Sequence, residues 1–478
     1  MQARPGAGER FGPYLVLAVF FAASAFLRPL IPTAETRYLT VAWEMFQRRD
    51  FLLLTLNFEP YYHKPPLLFW LIDAGWAIFG VHRVVALGVV YVIAAVTLYL
   101  TVRLAKTMFP DSRALAERAP WLTLGGAVFL IYASLIYMDI LQAAFVLAFM
   151  ISAIEFARGD GMKQAVLAGV WIGLGILAKG PVMFVHILWP VLLYPLWRGP
   201  GRDLGPAAFY RGFGIMILAS IAVVVLWLGP VLVLADENFL YNLIWRQSAE
   251  RISGSLDGAH PRAFWYYLQF LPILLLPWIC SPGLYRSSPL ASLRQARETR
   301  PDDYRMIRLL AFWFAGVFVT FSLISGKQPH YLVPEALLLS VLFACFMTRV
   351  SLPLIRNVAI GMVGLFIVGQ AVSAFTVFDR LDLKPLAAYV HDRPQAPWAY
   401  AGAYEGEVNF LARRTAPVAE IGEDEADAWL AAHPDGYVIA KTKEPVSSFP
   451  HAVFDQPADS GRYVVTAGPE TQEGKARR

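Results

Sequence analysis

The chain has 478 residues, 57 % of them apolar and only 16 % charged, with a formal net charge of +5. That balance excludes an ordinary soluble protein, in which about 25 % of residues are charged. The two cysteines, Cys280 and Cys345, exclude a disulfide framework or a Cys-rich zinc site; both lie in apolar runs and read as core thiols.

Apolar runs follow one another, and crossing a bilayer takes about 20 residues. Spans are predicted at 12–31, 84–105, 120–138, 140–157, 164–179, 181–198, 212–234, 264–285, 307–325, 331–349 and 353–376, about eleven in all. Two are short enough to tilt or be re-entrant. The first run follows Arg4 and Arg10 and lacks a small-residue cleavage site near Leu30-Ile31-Pro32, so it reads as a retained signal anchor.

Cations set the orientation. Arg4 and Arg10, then Arg103, Lys106, Arg113 and Arg118, then Arg158 and Lys163 fall in alternate connections. The alternation continues through Arg198, Arg202 and Arg211, the run Arg286–Arg308, and Arg349 and Arg356. These connections are expected to be cytoplasmic, which puts the N-terminus inside and the C-terminus outside.

The opposite connections differ in kind. In the first, 32–83, the stretch ETRYLTVAWEMFQ spaces Leu39, Val41, Ala42, Met45 and Phe46 as an amphipathic helix lying in the interface. Pro65-Pro66 then opens a second short helix that ends at Gly80. The second long outer loop, 236–262, contains the flexible breaker SGSLDG. Short outer turns carry Lys179-Gly180-Pro181 and Gly326-Lys327-Gln328-Pro329-His330.

The expected fold is therefore an all-α polytopic membrane protein with outer-face amphipathic helices. A membrane domain, 1–377, precedes a small α/β extracytoplasmic domain, 378–478. In the latter, strands are predicted at Trp398–Ala401, 436–440 and 462–466, and a helix at 424–432; no tail residue stands out as catalytic. There is no internal repeat, metal-loop motif, P-loop or dinucleotide fingerprint, which argues against a nucleotide-driven pump.

The chemistry-bearing residues gather in the outer connections. Glu35 and Arg37 read either as a base with a bidentate phosphate ligand or as a solvated helix face. Lys64, directly before a helix start, adds an ammonium where the helix N-terminus already attracts anions; the alternative is a snorkelling lysine. Its neighbour His63 reads as a surface histidine rather than a metal ligand. Asp139, in a turn between two spans, is a functional acid or a helix cap. Lys179 is a phosphate ligand or an interfacial anchor. Arg246, Arg251 and His260 lie in the second long loop, and Lys327, Gln328, His330 and Tyr331 in a late outer turn. Singly each is ordinary. Together, Arg37, Lys64, Lys179, Arg251 and Lys327 sit on the side that the positive-inside bias depletes, and an anionic lipid phosphate gives a physical reason.

These stretches resemble the lipid A aminoarabinose transferase family of bacterial membrane glycosyltransferases, relatives of the protein O-mannosyltransferases in the C-type superfamily. The matching segments are AETRYLTVAWEMF, YYHKPPLLFWL, YMDILQAAF, GILAKGPV, RISGSLDGAHPRAFWYYLQFLPILLLPW and SGKQPHYLVP, in family order. The resemblance implies sugar transfer from a polyprenyl-phosphate carrier to lipid A or a related envelope glycolipid, outside the bacterial inner membrane. Carried over by motif, Lys64 and Arg251 bind the carrier phosphate, with Tyr331 and Lys327 in the same pocket. Asp139 matches the acid of the second active-site loop, and Glu35 and Arg37 the first-loop acid–arginine motif. Lys179 and His260 are expected to position substrate. No cofactor or nucleic-acid partner is expected, although a divalent metal is compatible with the pattern.

One position departs from the family. Ala34 stands where relatives place an aspartate. Either Glu35 or Asp139 takes over, or the acceptor needs no base, or the chain is impaired. A phosphate acceptor is already anionic near neutral pH, since its second pKa is about 6. Two readings compete with the first: a protein or polysaccharide acceptor, and a non-enzymatic lipid transporter. A transporter is expected to show repeats and broken midplane helices, whereas the polar features here gather at one face.

Overall fold

The computed structural model describes residues 7–235, 237–243, 262–286 and 288–471. They form two compact units. One contains 1–23, 62–68 and 84–367; the other contains 24–61, 69–83 and 368–478.

The first unit is helical. Among the described residues of the whole chain, seven helices are long and apolar enough to cross a membrane: Arg83–Met108, Asp139–Ala157, Met162–Lys179, Pro206–Leu234, Pro301–Leu323, Pro329–Phe346 and Leu352–Ala374. Asp139–Ala157 is the central one, with nearly every side chain buried. Pro206–Leu234 is at the other extreme, exposing Leu218, Leu226 and Val233. An apolar helix that exposes such side chains is suited to lipid rather than water.

Several predicted spans take other forms. The first run ends at Leu27, short of residue 31, where Arg28-Pro29 breaks the apolar pattern. The run predicted at 120–138 begins at Arg113 and bends by 59° between Leu124 and Ala127. Trp278 fills the bend, donating its Nε1–H to Leu122 O at 2.8 Å. A Cβ on Gly125 would come within 2.7 Å of that indole, so only glycine fits there. The run 181–198 divides into Met183–Leu192 and Tyr194–Trp197, and Pro195 removes a donor at the break.

The run 264–285 is not a straight span. Pro272, Pro277 and Pro282 divide it into Phe264–Phe270, Leu271–Leu275, Trp278–Cys280 and Pro282–Arg286. This irregular path leaves Cys280 exposed, so the core-thiol reading holds only for Cys345, which is buried.

The second unit centres on a five-stranded mixed sheet in the order Ala419–Ile421, Trp398–Ala401, Tyr437–Thr442, Gly461–Ala467, Ala452–Ala458. The first three strands run parallel and the rest antiparallel. Alternation separates two faces. Trp398, Tyr400 and Ile439 pack with Leu386 and Val390 of the helix Lys384–His391. Ala399, Ala401 and Val438 pack with Leu430 of Ala426–Ala432. Three strands and one helix occur where the sequence places them. The edge strands Ala419–Ile421 and Ala452–Ala458 went unpredicted because their apolar alternation is weak.

Most of the connection 32–83, namely 32–61 and 69–83, folds into this same unit. Its helix, Ala34–Arg48, buries Leu39, Val41, Ala42 and Met45, but also Glu35, Thr36, Thr40 and Glu44. It is therefore not a helix with a free polar face in the interface. The tail covers the polar side: Thr40 donates to Gly406 O at 2.8 Å, Trp43 Nε1 to Arg414 O at 2.9 Å, and Asn57 to Val418 O at 2.8 Å. The second short helix is Leu67–Phe79, with Gly80 following as expected. Its Trp76 stacks on Phe410 at 5.3 Å between ring centroids.

That helix also holds an acid that the sequence reading passed over. Asp73 is 3 % exposed, neither carboxylate oxygen has a hydrogen-bond partner among the described residues, and burial pushes its carboxyl up to about 8. A folded-state value raised above the unfolded one contributes stability that is complete below the unfolded value and lost as pH rises through about 8. Asp73→Asn should therefore raise the melting temperature of the detergent-solubilised protein at pH 9 and leave it nearly unchanged at pH 5. Equal shifts at both pH values would contradict this account.

Candidate active site

In the helical unit, the helix starts and turns after the apolar runs bring one polar cluster together. Asp139 is the first residue of Asp139–Ala157. It pairs with the Lys179 ammonium; the two side chains are 2 % and 5 % exposed. Lys179 ends the helix Met162–Lys179, and Gly180, at φ 90°, turns the chain in a region that side-chain-bearing residues avoid. The Lys179 Nζ lies 5.0 Å from the Tyr331 ring centroid, within cation–π range. His330 packs edge-on against Tyr331 and also against Tyr132 and Tyr137. Lys64 and His330 lie within electrostatic range of the Asp139 carboxylate. Three predicted residues, Lys179, Tyr331 and Lys64, are thus gathered around a fourth, Asp139.

Lys327 is placed differently. Its Nζ donates to Arg262 O at 3.0 Å and to Ile324 O, and the side chain is 2 % exposed. Desolvation holds this ammonium below the usual lysine range. It caps carbonyls at the end of Pro301–Leu323 and pins the strand of chain that leads to Tyr331. Arg251 and His260, together with Arg246 and the SGSLDG breaker, lie outside the described residues.

In the second unit, Glu35 is fully buried and held by a guanidinium. Arg28 donates to both carboxylate oxygens, one at 2.9 Å, and the Ile31 N–H donates at 2.8 Å. Arg83 in turn donates to the carbonyls of Arg28 and Ala25. Arg37 pairs with Glu405 of the tail at 2.9 Å. Sequence reading missed Arg28, which falls inside the predicted span 12–31, and Arg83, at the end of the 32–83 connection. Glu405 gave no signal, because it lies in a polar loop far along the chain.

Comparison with known proteins identifies relatives in sequence and in fold. Residues 63–227 match the family described as dolichyl-phosphate-mannose-protein mannosyltransferase. An undecaprenyl phosphate-alpha-4-amino-4-deoxy-L-arabinose arabinosyl transferase of Pseudomonas aeruginosa (strain UCBPP-PA14) is 29 % identical over 362 residues, 73 % of this chain and 61 % of that protein. The enzyme of that name from Photorhabdus laumondii is 27 % identical, over 70 % of this chain and 59 % of its own length. The chain thus spans about three fifths of the curated relatives it matches. Among solved structures, ArnT from Cupriavidus metallidurans bound to undecaprenyl phosphate superposes with a TM-score of 0.79 at 17 % identity, covering 97 % of this chain and 100 % of that one. The archaeal oligosaccharyltransferase AglB from Archaeoglobus fulgidus superposes more distantly, with a TM-score of 0.51 at 12 % identity over 91 % of this chain and 70 % of that one. The chain is a multi-pass membrane protein similar in sequence to the undecaprenyl-phosphate aminoarabinose transferases and in fold to ArnT.

Proposed function

We propose that this protein transfers a sugar from an undecaprenyl-phosphate or similar polyprenyl-phosphate donor to lipid A or a related envelope glycolipid. The observation that carries this reading is the buried Asp139–Lys179 pair beneath Tyr331, with Lys64 in electrostatic range, in a chain whose relatives bear that activity in their names. In the reaction the anomeric carbon–oxygen bond to the carrier phosphate breaks and the phosphate leaves with the electron pair. An acceptor oxygen forms the new bond to the same carbon. Lys64, Lys179 and Arg251 stabilise charge on the leaving phosphate, and the Tyr331 ring lies beside Lys179. Lys327 supports the turn that carries Tyr331, while Arg37 and His260 position substrate. Asp139 orients Lys179 and serves as the acid–base group; Glu35 is the second acid of the reading. A phosphate acceptor needs alignment more than deprotonation, which suits a site without the aspartate at position 34.

The reading extends to topology. We take 1–377 as the membrane glycosyltransferase domain, with about eleven crossings or re-entrant segments, and 378–478 as a periplasmic domain. The N-terminus is cytoplasmic and the site faces the periplasm. A reporter fused after Arg478 should be active outside the cytoplasm; cytoplasmic activity would overturn the site assignment.

The carrier phosphate supplies the direct test. Each charged donor to a desolvated phosphate contributes about 1.5–3 kcal/mol, so Lys64→Ala and Arg251→Ala should each lower donor use by roughly 10–100-fold. The assay is transfer from a labelled polyprenyl-phosphate sugar by purified protein at matched abundance. Normal transfer by both variants would remove this pocket. No transfer by the parent chain, with either a glycolipid or a peptide acceptor, would favour the transporter reading.

A further inference from the structure

The helical unit holds a second buried polar pair, His186 and Glu335, that the proposed reaction does not use. His186 Nδ1 and Glu335 Oε1 are 2.8 Å apart, and both side chains are 0 % exposed. His186 Nε2 and Glu335 Oε2 have no hydrogen-bond partner. Stability alone is a poor reason for such a pair, because well-packed apolar residues in its place are often as stabilising or more so. Its place in the fold suggests another reason. His186 stands in the first turn of Met183–Leu192, just after the turn that follows Lys179. Glu335 stands in the first turn of Val333–Phe346, four residues after Tyr331. The pair therefore joins the starts of the two helices that follow Lys179 and Tyr331 in the chain. A continuous set of contacts runs between them: the His186 ring lies 5.3 Å from Phe321, Phe321 lies 5.5 Å from Tyr331, and Tyr331 lies under the Lys179 ammonium. Trp313 donates to His186 O, which anchors the base of the set to Pro301–Leu323.

We propose that His186 and Glu335 are positioning residues for sugar transfer, holding Tyr331 and Lys179 in register at the donor phosphate. This rests on the donor-phosphate reading above. Neither residue touches substrate. Each acts by keeping two helix starts at a set spacing, in a site where a displacement of about 1 Å costs about 10²-fold in rate.

The test compares Glu335→Gln and His186→Gln, which replace the imidazole–carboxyl contact with neutral amides, with the parent protein. Kinetics are measured in detergent with a labelled polyprenyl-phosphate sugar, at matched abundance and with melting temperatures recorded. The expected result is a fall in kcat/KM for the donor of about 10–100-fold, with KM raised and the melting curve still cooperative. In a Tyr331→Ala background the same substitutions should add less than about 3-fold, because the ring through which they act is gone. Should either single variant fail to fold, the apolar pair His186→Phe with Glu335→Leu restores packing and should be stable but equally slow. Parent-like kinetics in both single variants, or a full additional loss in the Tyr331→Ala background, would overturn the proposal. If Lys64→Ala and Arg251→Ala are slow while these variants are normal, the phosphate site stands and only the positioning role falls. If all four are normal, the site reading itself falls.

Discussion

Asp139→Asn is expected to lower sugar transfer by about 10²–10⁴-fold, the usual consequence of removing a general acid or base. The amide keeps the shape of the carboxylate and can still accept from Lys179, but it no longer balances that ammonium. Lys179 is 5 % exposed, and leaving a buried charge without its partner costs about 3–5 kcal/mol. A loss of activity in the single variant therefore has two possible origins. Pairing Asp139→Asn with Lys179→Gln separates them, since the neutral pair leaves no buried charge. The double variant should recover the melting temperature and remain inactive. Recovery of both would mean that Asp139 serves only to neutralise Lys179. A phosphate acceptor softens the loss towards the lower end of the range, because nothing must be deprotonated; a hydroxyl acceptor pushes it towards the upper end.

The second large effect is expected at Arg28 and Glu35. Their two-point ion pair is almost wholly buried, at 4 % and 0 % exposure. Arg28→Met leaves the Glu35 carboxylate without its guanidinium and should destabilise the protein by about 3–5 kcal/mol. Glu35→Gln leaves Arg28 in the complementary position and should destabilise similarly, with reduced transfer. Arg28→Met together with Glu35→Leu removes both charges and should recover most of the stability. Melting curves in detergent and transfer rates, measured side by side, then assign the role. Stability without activity places Glu35 in the chemistry, and recovery of both makes the pair a structural clasp.

Ala34→Asp belongs in the same series. Ala34 is the first residue of Ala34–Arg48, where an acid also favours the helix by about 0.3–1 kcal/mol. It should raise transfer if the chain lacks a needed base and change little if the acceptor is a phosphate. Full activity in both Asp139→Asn and Glu35→Gln would sink the acidic site, whatever Ala34→Asp does.

Much of this protein is legible without coordinates. Apolar runs of bilayer length and the low charge announce a multi-pass membrane protein, because hydrocarbon admits little else. The short helix after Pro65-Pro66 and its end at Gly80 follow from the backbone chemistry of proline and glycine. Local motifs also point to Asp139, Lys179 and Tyr331, since charged residues at the ends of apolar runs are few and costly. What sequence cannot carry is any property that depends on residues far apart in the chain. The bend at Gly125 depends on Trp278, which fills it. The burial of both faces of Ala34–Arg48 depends on a tail more than 350 residues later. The partners of Glu35 and Arg37, Arg28 and Glu405, and the pairing of His186 with Glu335 are likewise tertiary facts. A carboxylate in sequence is only an acid; whether it is a base, a clasp or a positioning group is decided by which cation the fold brings to it, and at what burial.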